Sequence, residues 1–553
     1  MSEDDILKNL FQEQFEAFMA RFPILATYFG YKHEIYDHLL PNGSSDANEE
    51  TTVLIFQSKK KLREIDYEAL SDEGKLDYDL LDYFLDSQLF SLNELAIWKS
   101  GIIIGLGGGG PVGTIGGALF PLYTRDYAPL EFRVKAMISR LKKVPQFLEE
   151  TKSTWQFPVK LWTEIAIEEG PRTIGFLFLI QNNLKPNLEQ QLYEKLLEAI
   201  EIASKSINKY SEWIENEIQP HATHEWLIGS QKFYRLMELR KLGKNPDEIL
   251  KIGEKALEDT KIELEELGKE LHPGKTVKEI REIIKSNHPP TFEMVLEHVR
   301  ELTLESRKFI QEHDSMDLPT GEELQVLPTP SYLIPMIPFA AYIQPERFSK
   351  RQIGQYMVTP IESRDEMLKE HSYASCKNIA VHEGYPGHHL QLTCANLQPN
   401  LIRSIVEGIE TIEGWAHYCE QLMAEKGFLG REEIFIQLVD QLWRAVRIIV
   451  DIKMHNGQMS FEEAKVFMMN EVGMDENAVI AELKRYTLTP GYQLSYLLGK
   501  FMILELRDYV KQKMSNKYTD QFFHNTILNS GGIPIFFLKR LFDIQIARIL
   551  KPP

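Results

Sequence analysis

VHEGYPGHHLQ, residues 381–391, begins with a histidine–glutamate pair and then departs from the spacing such a pair usually keeps. A helix reading His-Glu-x-x-His sets two imidazoles four residues apart on one face. Both can then reach one metal ion, and the glutamate between them activates water. Here His382 and Glu383 are in place, but position 386 is proline and the next histidines are His388 and His389. Six positions turn a continuous helix by roughly 240°, so His388 would point away from His382. Seven positions restore the face for His389, but about 10 Å further along the axis. Zn–N bonds are about 2.0–2.1 Å long, so neither pair could share an ion on an unbroken helix.

Pro386 resolves the conflict. It removes one helical N–H and crowds the carbonyl of His382, and Gly387 loosens the backbone after it. The helix is expected to bulge or restart there and absorb the two additional residues. His388 then falls near the second-ligand position. His389 stands as the rival ligand, or else as a group that meets substrate or supports the ligands. A catalytic site needs a third protein ligand and a position left for water. Glu413, in ETIEGWAHYCE at 410–420, is the best candidate. It shares a helix face with His417 and Glu420 at i, i+4 and i+7, and His417 competes for the ligand role.

Working outward, helical periodicity dominates. Ile6, Leu7, Leu10, Phe11, Phe15 and Phe18 form one apolar stripe. Similar patterns cover roughly 48–70, 73–95, 129–151, 187–216, 246–270 and 291–314, and nearly everything after 360 is compatible with helix. The expected fold is mainly α: one large helical body with a small antiparallel sheet. No repeat or low-complexity linker divides the chain. It reads as a single unit, 1–553, with a helical N-terminal part, 1–320, and a part, 321–553, that carries the candidate zinc residues.

Two regions interrupt the helices. GIIIGLGGGGPVGTIGG, 101–117, is too glycine-rich for a stable helix and reads as a flexible or closely packed loop near a cleft. No Lys-Ser or Lys-Thr pair follows it, so the phosphate-cradling signature is absent. In LQVLPTPSYLIPMIPFAAYIQP, 324–345, prolines forbid a long helix, and Ile337, Phe339, Ala341 and Ile343 alternate as in a strand. Prolines confine such a strand to an edge or a sheet start. An edge strand beside a cleft can hold an extended peptide, although a plain structural hairpin fits the same residues.

Composition narrows the partners. The 553 residues carry 62 basic and 81 acidic side chains, a formal charge of −19. That balance argues against a nucleic-acid partner, which needs a basic footprint. No apolar run reaches membrane-spanning length, so no membrane partner is expected. The acidic, amphipathic N-terminal stretch lacks the features of a signal peptide. Cys376, Cys394 and Cys419 have no CxxC spacing and read as small buried residues, which suits a reduced, cytoplasmic setting. His371, eleven residues before His382, could share its face but reads more simply as a surface histidine.

HEGYPGHH, EGWAHYCE and the later RYTLTPGYQLSYLLG, 485–499, together resemble a family of uncharacterised proteins carrying HExxPGHH and EGWA motifs. These are predicted zinc metallopeptidases, similar in arrangement to the helical gluzincins: thimet-type oligopeptidases, angiotensin-converting enzyme and the thermostable carboxypeptidases. The resemblance runs from ATYFGY, 26–31, to near the C-terminus, and departs from standard gluzincins in the lengthened histidine spacing. It implies a helical body around a deep substrate channel, with 1–320 forming one channel wall and Zn2+ on the channel floor, held by His382, His388 and Glu413, with Glu383 as general base. It further implies Tyr496 as the oxyanion donor, with Arg485 and Tyr486 as weaker candidates for substrate contact beside His389.

The expected function is zinc-dependent hydrolysis of short peptides, since a channel between helices excludes folded proteins. A zinc hydrolase of a non-peptide amide or ester is the alternative, because the same chemistry polarises any acyl carbonyl. A metal-binding protein without turnover is the non-enzymatic alternative. Glu383 speaks against it, because a purely structural site has no use for a base.

Overall fold

The structure, a computed structural model, describes the whole chain except residues 1, 104–108, 314, 331–333, 335–336, 338–339, 361–367 and 552–553. It is mainly α. The periodic segments fold as helices Ser45–Arg63, Asp72–Leu89, Leu130–Thr151, Gln190–Trp213, Pro246–Leu271 and Phe292–Glu312. Several carry the local signals that start helices: Asn245 and Glu248 form a reciprocal capping box, and Ser71 and Thr291 cap by side-chain oxygen. None of the described helices is long and apolar enough to cross a membrane.

One core cluster joins Leu7, Phe11 and Leu80 to Val381, Trp415 and Phe542, so helices from both ends of the chain bury the same apolar interior. A second cluster packs helix Pro246–Leu271 against helix Arg431–His455. The residues around His382 sit between these two cores.

Two expectations are corrected. The helix Pro111–Thr124 begins inside the glycine-rich stretch that was expected to be loop. Pro111 occupies its first turn, where a missing N–H does no harm. Val112, Ile115 and Leu119 are buried, and the carboxylate of Glu169 accepts N–H bonds from Gly109, Gly110 and Gly113. Tertiary burial and this cap override low intrinsic propensity. Because Glu169 already fills those N–H groups, they are not presented to a phosphate. The remaining glycine-rich residues, 104–108, lie outside the described residues.

The sheet is mixed rather than antiparallel. Its strands are β1 (Glu322–Pro328), β2 (Ala340–Ile343) and β3 (Gln352–Val358), in the order β1-β3-β2. β3 pairs parallel to β1 and antiparallel to β2. The chain reverses twice between β1 and β3, so the last strand in sequence lies between the other two. β2 is an edge strand, as expected, but shorter than the alternation suggested. Ile337 precedes it, and Phe339 lies outside the described residues. Val326, Tyr356 and Val358 pack with Cys376 and Ala380, so the sheet supports the helix that carries His382.

Helices Ile409–Glu425 and Ser495–Met514 cross in close contact at Gly414 and Gly499. A Cβ on Gly414 would fall on the backbone of Gly499, which cannot yield as a side chain could. Gly414→Ala is therefore expected to destabilise the fold by about 1–3 kcal/mol, the usual overpacking range, measured by denaturant unfolding. Because these helices carry Glu413 and Tyr496, the same substitution should also disturb the site.

Candidate metal centre and its cavity

The helix Tyr373–Glu383 starts on Ser372, whose hydroxyl accepts the N–H of Ser375, and it ends at Glu383. After Gly384, the cis Tyr385–Pro386 peptide and Gly387, a new helix runs from His388 to Leu397. The expected restart at Pro386 is present. Gly387 has a more specific task than loosening the chain. Its N–H donates to the carbonyl of Val381 at 3.1 Å, and a Cβ there would collide with the carbonyls of His382 and Val381. The chain thus folds back onto the last turn of the first helix, and only glycine permits that approach. The two extra residues of spacing are taken up in this fold-back.

The result is a cluster. Ligand atoms of His382, His388 and Glu413, all buried, lie within 4.8 Å of one another. His388 Nε2 is 3.5 Å and His382 Nε2 4.0 Å from Glu413 Oε2. Ligands about 2.0–2.1 Å from a tetrahedral ion stand about 3.3 Å apart, so the three side chains need only small movement to share one. Two imidazoles and a carboxylate are the donor set of catalytic zinc sites, which keep a fourth position open. Among the described residues this is the one such group of histidine, cysteine and carboxylate side chains.

Surrounding residues hold two of the three cluster side chains, His382 and Glu413. His382 Nδ1 lies 2.7 Å from Glu420 Oε1, which also accepts Arg444 Nη2 at 3.0 Å. Burial would raise the Glu420 carboxyl, but Arg444 and its other partners outweigh that and hold it well below the usual range. The anion orients the imidazole with Nδ1–H towards itself and Nε2 towards the cluster. Tyr492 donates its hydroxyl to Glu413 Oε1 at 2.6 Å. Burial would raise the Glu413 carboxyl too, yet His388, His382 and Tyr492 hold it at about 2. Trp415 Nε1 donates to the carbonyl of Pro386 at 2.8 Å, tying the EGWA segment to the break between the helices. In EGWA, then, Glu413 joins the cluster, Gly414 permits the helix crossing and Trp415 holds the loop. Glu420→Gln removes the charge that fixes His382, and is expected to weaken metal binding by about 10–100-fold in competition with a chelator.

The cluster opens onto a cavity of about 460 Å³. Glu383, Tyr496 and Arg485 line it, as a site role requires. Burial and the charge of Glu413 raise the pKa of the Tyr496 hydroxyl, so it remains a neutral donor.

Other expectations fail. His389 is fully buried, with Nε2 2.8 Å from Glu322 Oε2 and Nδ1 2.9 Å from the Tyr342 hydroxyl. Both ring nitrogens are committed, so it is neither a ligand nor a substrate contact. It braces the second helix against β1 and β2, and Glu322 also accepts the hydroxyl of Tyr385 and Arg307 Nε. Tyr486 is fully buried and donates to Glu482 Oε2 at 2.7 Å, so it too stands behind the cavity wall. His417 is buried beside Glu420 and outside the cluster, and burial pushes its pKa well down. His371 is buried rather than on the surface, with Nε2 3.0 Å from the carbonyl of Thr359. The three cysteines are free and buried, as expected.

Sequence reading missed Glu322, Tyr492 and Arg444. Tyr492 lies four residues before Tyr496 in a segment already singled out, but nothing in spacing says which tyrosine faces Glu413. Glu322 and Arg444 lie 60 or more residues from His382, and only the fold reveals them.

The fold and the cluster define a helical protein with a His-His-Glu metal-type centre on the wall of an interior cavity. The chain belongs to the family DUF885, bacterial proteins of unknown function, which it matches over residues 23–541. No curated protein matches it. Among solved structures, it is similar to a candidate lipoprotein of unknown function from Shewanella oneidensis, with 19% identity, TM-score 0.77, and 98% of this chain and 99% of that one covered. It is also similar to a candidate lipoprotein from Colwellia psychrerythraea, with 19% identity, TM-score 0.84, and 99% of this chain and 100% of that one covered. At this identity the likeness concerns the fold.

Proposed function

We propose that this protein is a zinc-dependent hydrolase of peptide bonds in short peptides, of the helical gluzincin kind. The observation that carries the reading is the meeting of His382, His388 and Glu413 within 4.8 Å, next to Glu383 on one cavity wall. Zinc held by these three residues would supply a Lewis acid for a carbonyl and lower the pKa of water. The chain's own groups do the rest. The carboxylate of Glu383 accepts a proton from the attacking water and returns it to the leaving nitrogen. The Tyr496 hydroxyl donates a hydrogen bond to the carbonyl oxygen as negative charge gathers there. Glu420 and Arg444 keep His382 in its ligating tautomer.

The preference for peptides is supported by β2. Ala340 and Ala341 line the cavity, and among the described residues β2 pairs with β3 on one side only. An extended peptide can add to such an edge through its main chain. A volume of about 460 Å³ suits a few residues rather than a folded protein.

The test is metal analysis of the purified protein together with hydrolysis of a peptide library and of simple esters, before and after chelation. Peptide cleavage that is lost with the metal and restored by zinc is the expected result. Hydrolysis of esters alone would favour the non-peptide alternative. Bound metal without any turnover would sink the enzymatic reading.

A further inference from the structure

Beyond the metal cluster, the cavity wall holds a second group of charges that the proposed chemistry does not use. Arg447, from helix Arg431–His455, and Arg485, from helix Glu476–Leu488, both reach Glu482 Oε2, at 3.0 and 2.9 Å. No other carboxylate among the described residues pairs with either arginine. One anion therefore faces two guanidinium groups, and this part of the cavity wall carries one more cation than anion, in a protein whose formal charge is −19. Burial would raise the Glu482 carboxyl, but Arg485 and Arg447 hold it at about 2, so the count of charges holds at neutral pH.

The geometry of the pair is constrained. Arg447 is 8% exposed and its guanidinium lies 4.0 Å from the Trp443 ring centre and 4.8 Å from that of Tyr496. Its Nε donates to the Tyr486 hydroxyl. Arg485 is 31% exposed, and Glu482 takes one of its five N–H donors. A contact chain runs from these arginines through Tyr496 and Tyr492, whose rings are 5.9 Å apart, to Glu413 of the metal cluster. A planar fork beside the reacting centre, short of one anion, matches a carboxylate in shape and charge.

We propose that Arg485 and Arg447 form a carboxylate-binding subsite of the substrate cavity, with Arg485 making the direct contact. The proposal rests on the peptide-hydrolase reading and deepens it. If the carboxylate is the chain terminus, the enzyme works close to the C-terminal end of its peptides. If it is an aspartate or glutamate side chain, the enzyme selects acidic peptides. Tyr486 acts here as a positioning residue for Arg447.

Binding is measured calorimetrically on the full-length zinc-loaded Glu383→Gln protein, which should hold peptides without turning them over. Three probes separate the sources: N-acetyl-tetra-alanine as free acid, the same peptide as its C-terminal amide, and an N-acetylated, C-terminally amidated peptide ending in glutamate. The free acid should bind about tenfold or more tightly than its amide, the scale of a charge-assisted contact. Adding Arg485→Gln should erase the preference, and Arg485→Lys should restore part of it. Preference for the amidated glutamyl peptide instead would assign the subsite to an acidic side chain. Equal binding of all three probes overturns the proposal whether or not the arginine variants fold. So does an acid preference that survives Arg485→Gln, since the metal alone would then hold the carboxylate. Failure of the wild-type protein to cleave any peptide, while the arginine-dependent preference stands, would defeat the peptidase reading and leave the subsite intact.

Discussion

Glu383→Gln protein is expected to keep its metal and lose hydrolysis by about 10²–10⁴-fold, the range that general-base catalysis supplies. Glu383 is the last residue of the helix Tyr373–Glu383, adjacent in sequence to His382 but absent from the His-His-Glu cluster. Its side chain lines the cavity, where an attacking water and a scissile carbonyl would meet. Glutamine preserves size and most packing, but cannot accept a proton at neutral pH. The readouts are kcat on a cleavable peptide and zinc content by elemental analysis. Full activity in this variant would remove Glu383 from the chemistry. Loss of both metal and activity would instead make it part of the metal's support.

His388→Ala is expected to weaken zinc binding by well over 100-fold and to remove hydrolysis with it. The bound comes from comparison: losing a group that merely orients a ligand costs about 10–100-fold, and losing a ligand costs more. His388 is the residue on which the broken helix depends. If it holds the ion, the fold-back at Gly387 has a purpose. If His388→Ala binds zinc normally, the two remaining side chains would need another partner, and the cluster would lose its meaning as a site. Zinc should raise the melting temperature of the wild-type protein, because it binds the folded state, and that shift should vanish in the variant. His389→Ala makes the contrast. It should lower stability, because it leaves Glu322 and Tyr342 without their shared partner, while the three ligand side chains remain.

Much of this was legible in sequence because periodicity reports burial directly. Apolar residues three and four apart mark a helix face that must be covered, and six such segments are helices in the structure. The approach of His388 to His382 was legible for a different reason. Pro386 makes a continuous helix impossible, so only a restart reconciles the two histidines with one ion. The glycine-rich stretch misled because propensity is a local quantity, whereas Pro111–Thr124 is held by burial against other helices and by a carboxylate 56 residues beyond Gly113. His389 misled because adjacency to His388 says nothing of direction: neighbouring residues on a helix point about 100° apart, so if one meets the metal the other meets the sheet.

By itself, then, the sequence determined the helical class, the break at Pro386 and the residue types able to hold a metal, since each follows from the shape and chemistry of residues close together in the chain. Tertiary structure decided what sequence distance conceals: that Glu420 and Arg444 fix His382, that Glu322 takes His389 out of the cavity, and that Arg447 and Arg485 share a single carboxylate. Those contacts join side chains on different helices and strands, and the energy of a buried charge depends on what the fold sets around it rather than on its neighbours in the chain.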